Sequence, residues 1–229
     1  TQRMDEENEV IMIGDSHANH YSNLFAQWFD DEKIALKLFA TGGCNFYSEA
    51  IINTACEEVK TKAAKTIQKA NTVIIAKRFD LVYSDENFLN DFYQYVTKIT
   101  EMNKSVILVK QVPKFQDSEF LEDWMVAKRY GFNFDYNTNP IDSLYDEGNK
   151  KIIGLFSNNK NVHILDFNTI IQVNGAYQKF DEDRMPIYYN SNHLTAHGAE
   201  WIYNRIKKND KYNWVVNLIA KGEAQHSSS

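Results

Sequence analysis

Residues 10–29, VIMIGDSHANHYSNLFAQWF, decide how the chain is read. Four apolar residues end on Gly14, Asp15-Ser16-His17 follow at once, and Leu24, Phe25, Trp28 and Phe29 then share one helical face. A short, continuously apolar run has the pattern of a strand buried on both faces, while spacings of three and four residues mark a helix. The junction between them has two readings. Asp15 and Ser16 are ordinary helix N-cap residues. Alternatively, a sharp turn presents the Ser16 hydroxyl at a helix N-terminus, where backbone N–H groups favour developing negative charge. A serine hydroxyl becomes a nucleophile only when a base removes its proton and donors await the oxyanion, so the second reading needs partners elsewhere in the chain.

The pattern of the opening stretch repeats along the sequence. Apolar runs recur at IALKLFA (34–40), TVIIAKR (72–78), SVILVKQV (105–112) and NVHILDF (161–167). Helical patterns fall between and after them: the good helix former 57–71, the series Phe88, Phe92, Val96 and Ile99, a segment from Ile141 to Ser157, and 198–208 with Trp201, Ile202, Arg205 and Ile206. Strands alternating with helices of this length predict right-handed βαβ units, and hence a three-layer α/β/α sandwich with a five-stranded parallel sheet. Sites in such sheets lie outside the carboxyl ends of the strands, where Ser16, Gly43, Arg78 and Pro113 all fall. The least regular segment, 115–139, carries Phe120, Trp124, Tyr130, Phe132, Phe134 and Tyr136. It reads either as a peripheral unit with its own small core or as an aromatic wall for sugar rings.

The 229 residues suffice for one domain with a sizeable core, and a composition of 43% apolar and 24% charged residues is that of a globular chain. A net charge of −6 with no basic stripe argues against a nucleic-acid partner. No apolar run approaches the roughly 20 residues of a membrane span. Residues 1–9 are polar and read as a linker from a preceding region, 10–220 as the domain, and 221–229 as a disordered tail. Cys44 and Cys56 are compatible with two buried thiols or with a disulfide across their short loop; the second would imply an oxidising compartment. No clustered Cys/His spacing suggests a metal, and no cofactor is implied.

A candidate base stands near the other end, in YYNSNHLTAHGAEWIY (188–203). His193 precedes the last patterned helix, which Thr195 is placed to cap, and His197 falls on that helix. The final connection of a parallel sheet can return to the edge where Ser16 lies, so a Ser16–His193 pair is topologically reasonable.

GDSHA (14–18) after the first strand, with HLTAHGA (193–199) near the end, resembles the SGNH/GDSL hydrolase superfamily. More narrowly, the chain resembles the SGNH domains fused behind membrane acyltransferase-3 proteins that O-acetylate bacterial surface polysaccharides. TGGCNF (41–46), VIIAKRF (73–79), VILVKQVPKF (106–115) and IYYNSNHLTAHGA (187–199) are similar to that subgroup's blocks in order and spacing over most of residues 8–208. The resemblance implies Ser16 as nucleophile, His193 as general base and acid, and the N–H groups of Ser16 and Gly43 as oxyanion hole. Arg78 would help place substrate, and a Cys44–Cys56 disulfide would clamp the Gly43 turn. It further implies a periplasmic or otherwise extracytoplasmic domain of an inner-membrane protein, with a membrane-embedded acyltransferase domain as acetyl donor and a glycan as acceptor.

One position departs from the family. Asp normally stands three residues before the histidine, orienting the imidazole and stabilising its charged form; here Asn190 stands there. A Ser–His dyad, an inactivating change, and compensation by another carboxylate such as Asp183 all remain open. The expected activity is acetyl transfer to a surface polysaccharide through a serine acyl-enzyme; the alternatives are a carbohydrate acetylesterase and a catalytically impaired glycan-binding module.

Overall fold

In a computed structural model that describes residues 9–42, 44–47, 54–116, 120–131 and 141–226, the opening stretch becomes strand β1 (Glu9–Gly14) followed by helices α1 (Ser16–His20) and α2 (Ser22–Asp31). β1 pairs in parallel with β2 (Ala35–Ala40) on one side and β3 (Thr72–Ala76) on the other; β4 (Ser105–Val109) and β5 (Val162–Leu165) extend the sheet beyond β3. The spatial order is β2-β1-β3-β4-β5. The chain therefore leaves β1 toward one edge and crosses back to β3, opening a crevice at the carboxyl ends of β1 and β3. This is the predicted five-stranded parallel sheet.

Period-two alternation of the strand side chains builds the three layers. Val10, Met12, Ile74, Ala76, Ile107 and Val109 bury one face against Leu24, Phe25 and Trp28 of α2, Trp201 and Ile202 of α8 (Ala196–Ile206), and Val215 and Ile219 of α9 (Asn213–His226). Ile11, Ile13, Val73, Ile75, Val106 and Leu108 bury the other face against α3 (Thr54–Lys69), α4 (Glu86–Glu101) and Ile152 of α6 (Leu144–Leu155). Each fully buried Leu, Ile, Val or Phe contributes about 1.5–3 kcal/mol relative to exposure.

Two glycines permit backbone approaches that no other residue would. A Cβ at Gly14 would sit 1.8 Å from the Ala76 carbonyl oxygen, and one at Gly198 would sit 2.0 Å from the Ile187 carbonyl oxygen. The first lets β1 turn into α1 directly beside β3. The second lets α8 start against the segment that carries His193.

Cys44 and Cys56 form a disulfide, with Cα atoms 5.4 Å apart, which ties the loop after β2 to the first turn of α3. A cross-link closing so short a loop stabilises a domain by about 2–4 kcal/mol.

The structure differs from the sequence reading at three places. β2 is an edge strand with Leu38 36% exposed, not a strand buried on both faces. Its apolar run reflects β-propensity as much as burial. Residues 120–130 form helix α5, and Leu121 and Trp124 pack against the main core instead of a small core of their own; residues 132–139 lie outside the described residues. Finally, α9 follows the segment 198–208 that was expected as the last helix. Its buried Val215 and Ile219, four residues apart, pack against the sheet, with Trp214, Val216 and Leu218 partly buried beside them; Trp214, Val215, Leu218 and Ile219 have the same helical spacing as Leu24, Phe25, Trp28 and Phe29.

Candidate active site

The local chemistry at the strand–helix turn separates two jobs that the sequence left superposed. Asp15 is the helix cap: its carboxylate accepts from the His17 N–H at 2.9 Å. The other carboxylate oxygen accepts from the Arg78 backbone N–H at 3.2 Å and lies 3.3 Å from the Lys77 ammonium, so Asp15 fastens the end of β1 to the end of β3. Ser16 is thereby spared capping duty. It is the first residue of α1, where the N–H has no intrahelical acceptor, and its hydroxyl reaches another partner. Ser16 Oγ lies 2.7 Å from His193 Nε2, across 177 positions of sequence.

Residues on both sides of His193 hold it in place. The Tyr189 N–H donates to the His193 carbonyl at 2.7 Å, and Asn190 Oδ1 accepts from the N–H groups of Asn192 (3.1 Å) and His193 (3.0 Å). Thr195 caps α8 by accepting from the Gly198 N–H at 2.8 Å, while its hydroxyl donates to the Pro186 carbonyl at 2.7 Å. The Phe115 N–H donates to the Ser191 carbonyl at 2.8 Å, and the Phe115 ring meets Tyr188 edge to face, which ties the Pro-x-Phe end of the fourth strand to this loop.

Asn190 Oδ1 also stands 3.0 Å from His193 Nδ1. The position where an acid was expected thus stands against the ring. Among the described residues no carboxylate is hydrogen-bonded to either ring nitrogen, and Asp183 is exposed in the Asp181–Met185 turn. His197 pairs with Asp181 at 2.6 Å instead of meeting Ser16, as its helical position predicted.

Burial, followed by the charge of Arg78, holds the His193 imidazole below its usual value of 6.5. It is therefore neutral at pH 7, as a base must be. If His193 takes the serine proton, turnover is full above its folded pKa and falls as the pH drops through it. We expect the acid limb of kcat/KM for 4-nitrophenyl acetate to have its midpoint below about 6.5; a midpoint above that value would assign the limb to another group.

The sequence reading missed two neighbours. His17 packs at a tilt and His20 edge to face near His193, with ring centroids 4.8 Å apart for His17–His193 and 5.7 Å for His20–His193. Burial first, and neighbouring imidazoles next, hold both well below the usual value, so they line the base with uncharged rings. Their i, i+3 spacing was visible in SHANH but marked only one helix face. No cluster of metal ligands occurs among the described residues.

Arg78 ends the third strand block beside the site, and its guanidinium forms a two-point pair with Asp80, at 2.9 and 3.2 Å. The Asp80 side chain is fully buried; it also meets Lys114 at 3.1 Å and accepts from Gln111 at 2.9 Å. Burial opposes ionisation of Asp80, but these partners outweigh it and keep the carboxyl below the ordinary range. Gly43, expected to supply an oxyanion-hole N–H, lies outside the described residues.

A doubly wound parallel sheet with a serine–histidine pair outside the carboxyl ends of its strands defines an α/β domain of the SGNH-hydrolase type. The model of the SGNH domain fused to AT3 domains matches residues 2–208, and the chain belongs to that family. No curated protein matches the sequence. Among solved structures, the lipopolysaccharide acetyltransferase periplasmic domain of Salmonella ser. Paratyphi A is similar at 13% identity and a TM-score of 0.66, with 88% of this chain and 83% of that one covered. An acetyl xylan esterase is similar at 12% identity and a TM-score of 0.54, covering 87% and 98%. A GDSL-like lipase from Bacteroides thetaiotaomicron is similar at 12% identity and a TM-score of 0.50, covering 91% and 90%. At these identities the likeness is one of fold. No helix among the described residues is long and apolar enough to cross a membrane.

Proposed function

We propose that the chain is an O-acetyltransferase domain that passes an acetyl group through Ser16 to a hydroxyl of a bacterial cell-surface polysaccharide. The observation that carries this reading is the 2.7 Å contact between Ser16 Oγ and His193 Nε2, made between the two ends of the chain inside the crevice of the sheet. His193 takes the hydroxyl proton as Oγ attacks the acetyl carbonyl, and the Ser16 N–H donates to the resulting oxyanion, with Gly43 as the second donor. Collapse expels the donor alcohol, which leaves with the proton from His193 and an acetyl ester on Ser16. A glycan hydroxyl then gives its proton to His193 and attacks that ester, and Ser16 regains its proton as the acetylated glycan departs. Asn190 Oδ1 can hold the Nδ1–H tautomer this sequence needs, but supplies no negative charge to the imidazolium.

Membership of a family fused to AT3 domains supports a membrane-embedded acyltransferase domain as acetyl donor. The disulfide supports an extracytoplasmic location, because such bonds persist in oxidising compartments. A second reading, carbohydrate acetylesterase, is favoured by the partial exposure of Ser16, which leaves water a route to the acyl-enzyme.

The test supplies 4-nitrophenyl acetate with and without surface oligosaccharides to the wild-type and Asn190→Asp proteins, following nitrophenol release and glycan mass. Acetylated glycan is the expected product, with Asn190→Asp raising the rate about tenfold or more by stabilising the imidazolium. Free acetate as sole product from every glycan would make the protein an esterase. An inert wild type with an active Asn190→Asp variant would make it an impaired glycan-binding module.

A further inference from the structure

The Asn192 carboxamide, 2% exposed, lies between two groups that together fix its orientation. On one side are the Arg78 guanidinium nitrogens Nε, Nη1 and Nη2, at 3.0, 3.1 and 3.3 Å; on the other are His193 Nδ1 at 2.7 Å and Asn190 Oδ1 at 3.0 Å. A guanidinium only donates hydrogen bonds, and the Asn190 oxygen only accepts them. Both demand the same arrangement, with the Asn192 oxygen on Arg78 and its amino group on Asn190 and His193. Neither neighbour is free to yield. Arg78 is pinned by its two-point pair with Asp80, and the Asn190 oxygen is fixed by the backbone N–H groups of Asn192 and His193.

We propose that Asn192 is a positioning residue that sets the tautomer of His193: its amino group donates to Nδ1, so the free protein carries the ring proton on Nε2, pointed at Ser16 Oγ. This inference rests on the reading of Ser16 and His193 as the reacting pair. An imidazole protonated at Nε2 has no lone pair there for the serine proton. Activation therefore requires the proton to move to Nδ1, where Asn190 Oδ1 accepts it and the Asn192 amino group must withdraw. Two amides three and one residues before the histidine pull the ring in opposite directions, and Arg78 decides between them in the resting state. Asp80 acts at one remove, by holding the guanidinium against the amide.

The tautomer is read directly by long-range ¹H–¹⁵N NMR of protein labelled with ¹⁵N-histidine at pH 7.5, where the two ring nitrogens have distinct shifts. The His193 signals are assigned by their loss in His193→Gln. Wild type is expected as the Nε2–H form. Asn192→Ala leaves Asn190 Oδ1 as the partner of Nδ1 and is expected to convert the ring to the Nδ1–H form. Asn192→Asp places a carboxylate against both Arg78 and Nδ1, and is expected to give the Nδ1–H form as well, which keeps the test available if the alanine variant fails to fold. A wild-type Nδ1–H ring, or a folded variant that keeps the Nε2–H form, overturns the inference. Neither result depends on turnover, so failure here is distinguishable from failure of the acetyl-transfer reading, which is judged on ester cleavage by Ser16.

Discussion

Replacing Ser16 with alanine is expected to lower kcat for an aryl acetate by at least about a thousandfold while leaving the thermal midpoint close to wild type. The hydroxyl makes its hydrogen bond to His193, and the cap of α1 belongs to Asp15, so the substitution removes the reacting oxygen without opening the helix start. Rapid mixing of wild type with 4-nitrophenyl acetate should give a burst of nitrophenol as the acyl-enzyme accumulates, and intact mass should show an acetyl adduct that Ser16→Ala lacks. Wild-type-level turnover by Ser16→Ala would assign the chemistry to another residue. A variant that also unfolds early would show that the hydroxyl braces the loop holding His193.

The largest effect on stability is expected at Gly14. In Gly14→Ala the new methyl carbon would meet the Ala76 carbonyl oxygen at 1.8 Å and the Ala18 Cβ at 2.8 Å, contacts on backbone and a buried helix that cannot rotate away. Relief requires β1 and β3 to part where their parallel pairing ends, at Gly14 opposite Ala76. We expect a loss of about 3 kcal/mol or more, lowering Tm by roughly 10 °C in a domain of this size. Activity should fall beyond what unfolding explains, because the same separation moves Ser16 away from His193. A calorimetric scan of both proteins decides the first point. A Gly14→Ala Tm within two or three degrees of wild type would show that the strand ends have room to spare.

The physical basis of what could be read in advance is local. Strands β1, β3, β4 and β5 were visible because each is an apolar run, and helices α2, α4 and α8 because their buried residues recur at three and four positions. α9 was as legible as α2, since Trp214, Val215, Leu218 and Ile219 repeat the spacing of Leu24, Phe25, Trp28 and Phe29, but its pattern went unread. The edge exposure of β2 was hidden because an edge strand and a central one can share the same composition. Ser16 and His193 were nameable from their motifs, and the Cys44–Cys56 pair was one of two readings that the sequence allowed. Asp15 was one of two candidate caps, but its tie to the end of β3 and the parts played by Asn192, His17 and His20 were not nameable. A short polar residue beside a strand end carries no sign of which neighbour it will meet, and these neighbours come from positions up to about 180 residues away.

The amino-acid sequence alone determined the alternation of strands and helices, the parallel sheet that alternation requires, and the residue types available at the carboxyl ends of its strands. It did so because hydrophobic periodicity is a property of neighbouring residues and survives without knowledge of distant ones. Tertiary structure decided that Asp15 caps α1 and leaves Ser16 to His193, and that the amides of Asn190 and Asn192 both stand at Nδ1 of the ring. Those outcomes depend on hydrogen-bond distances between separate loops, which exist only once the sheet has brought the two ends of the chain together.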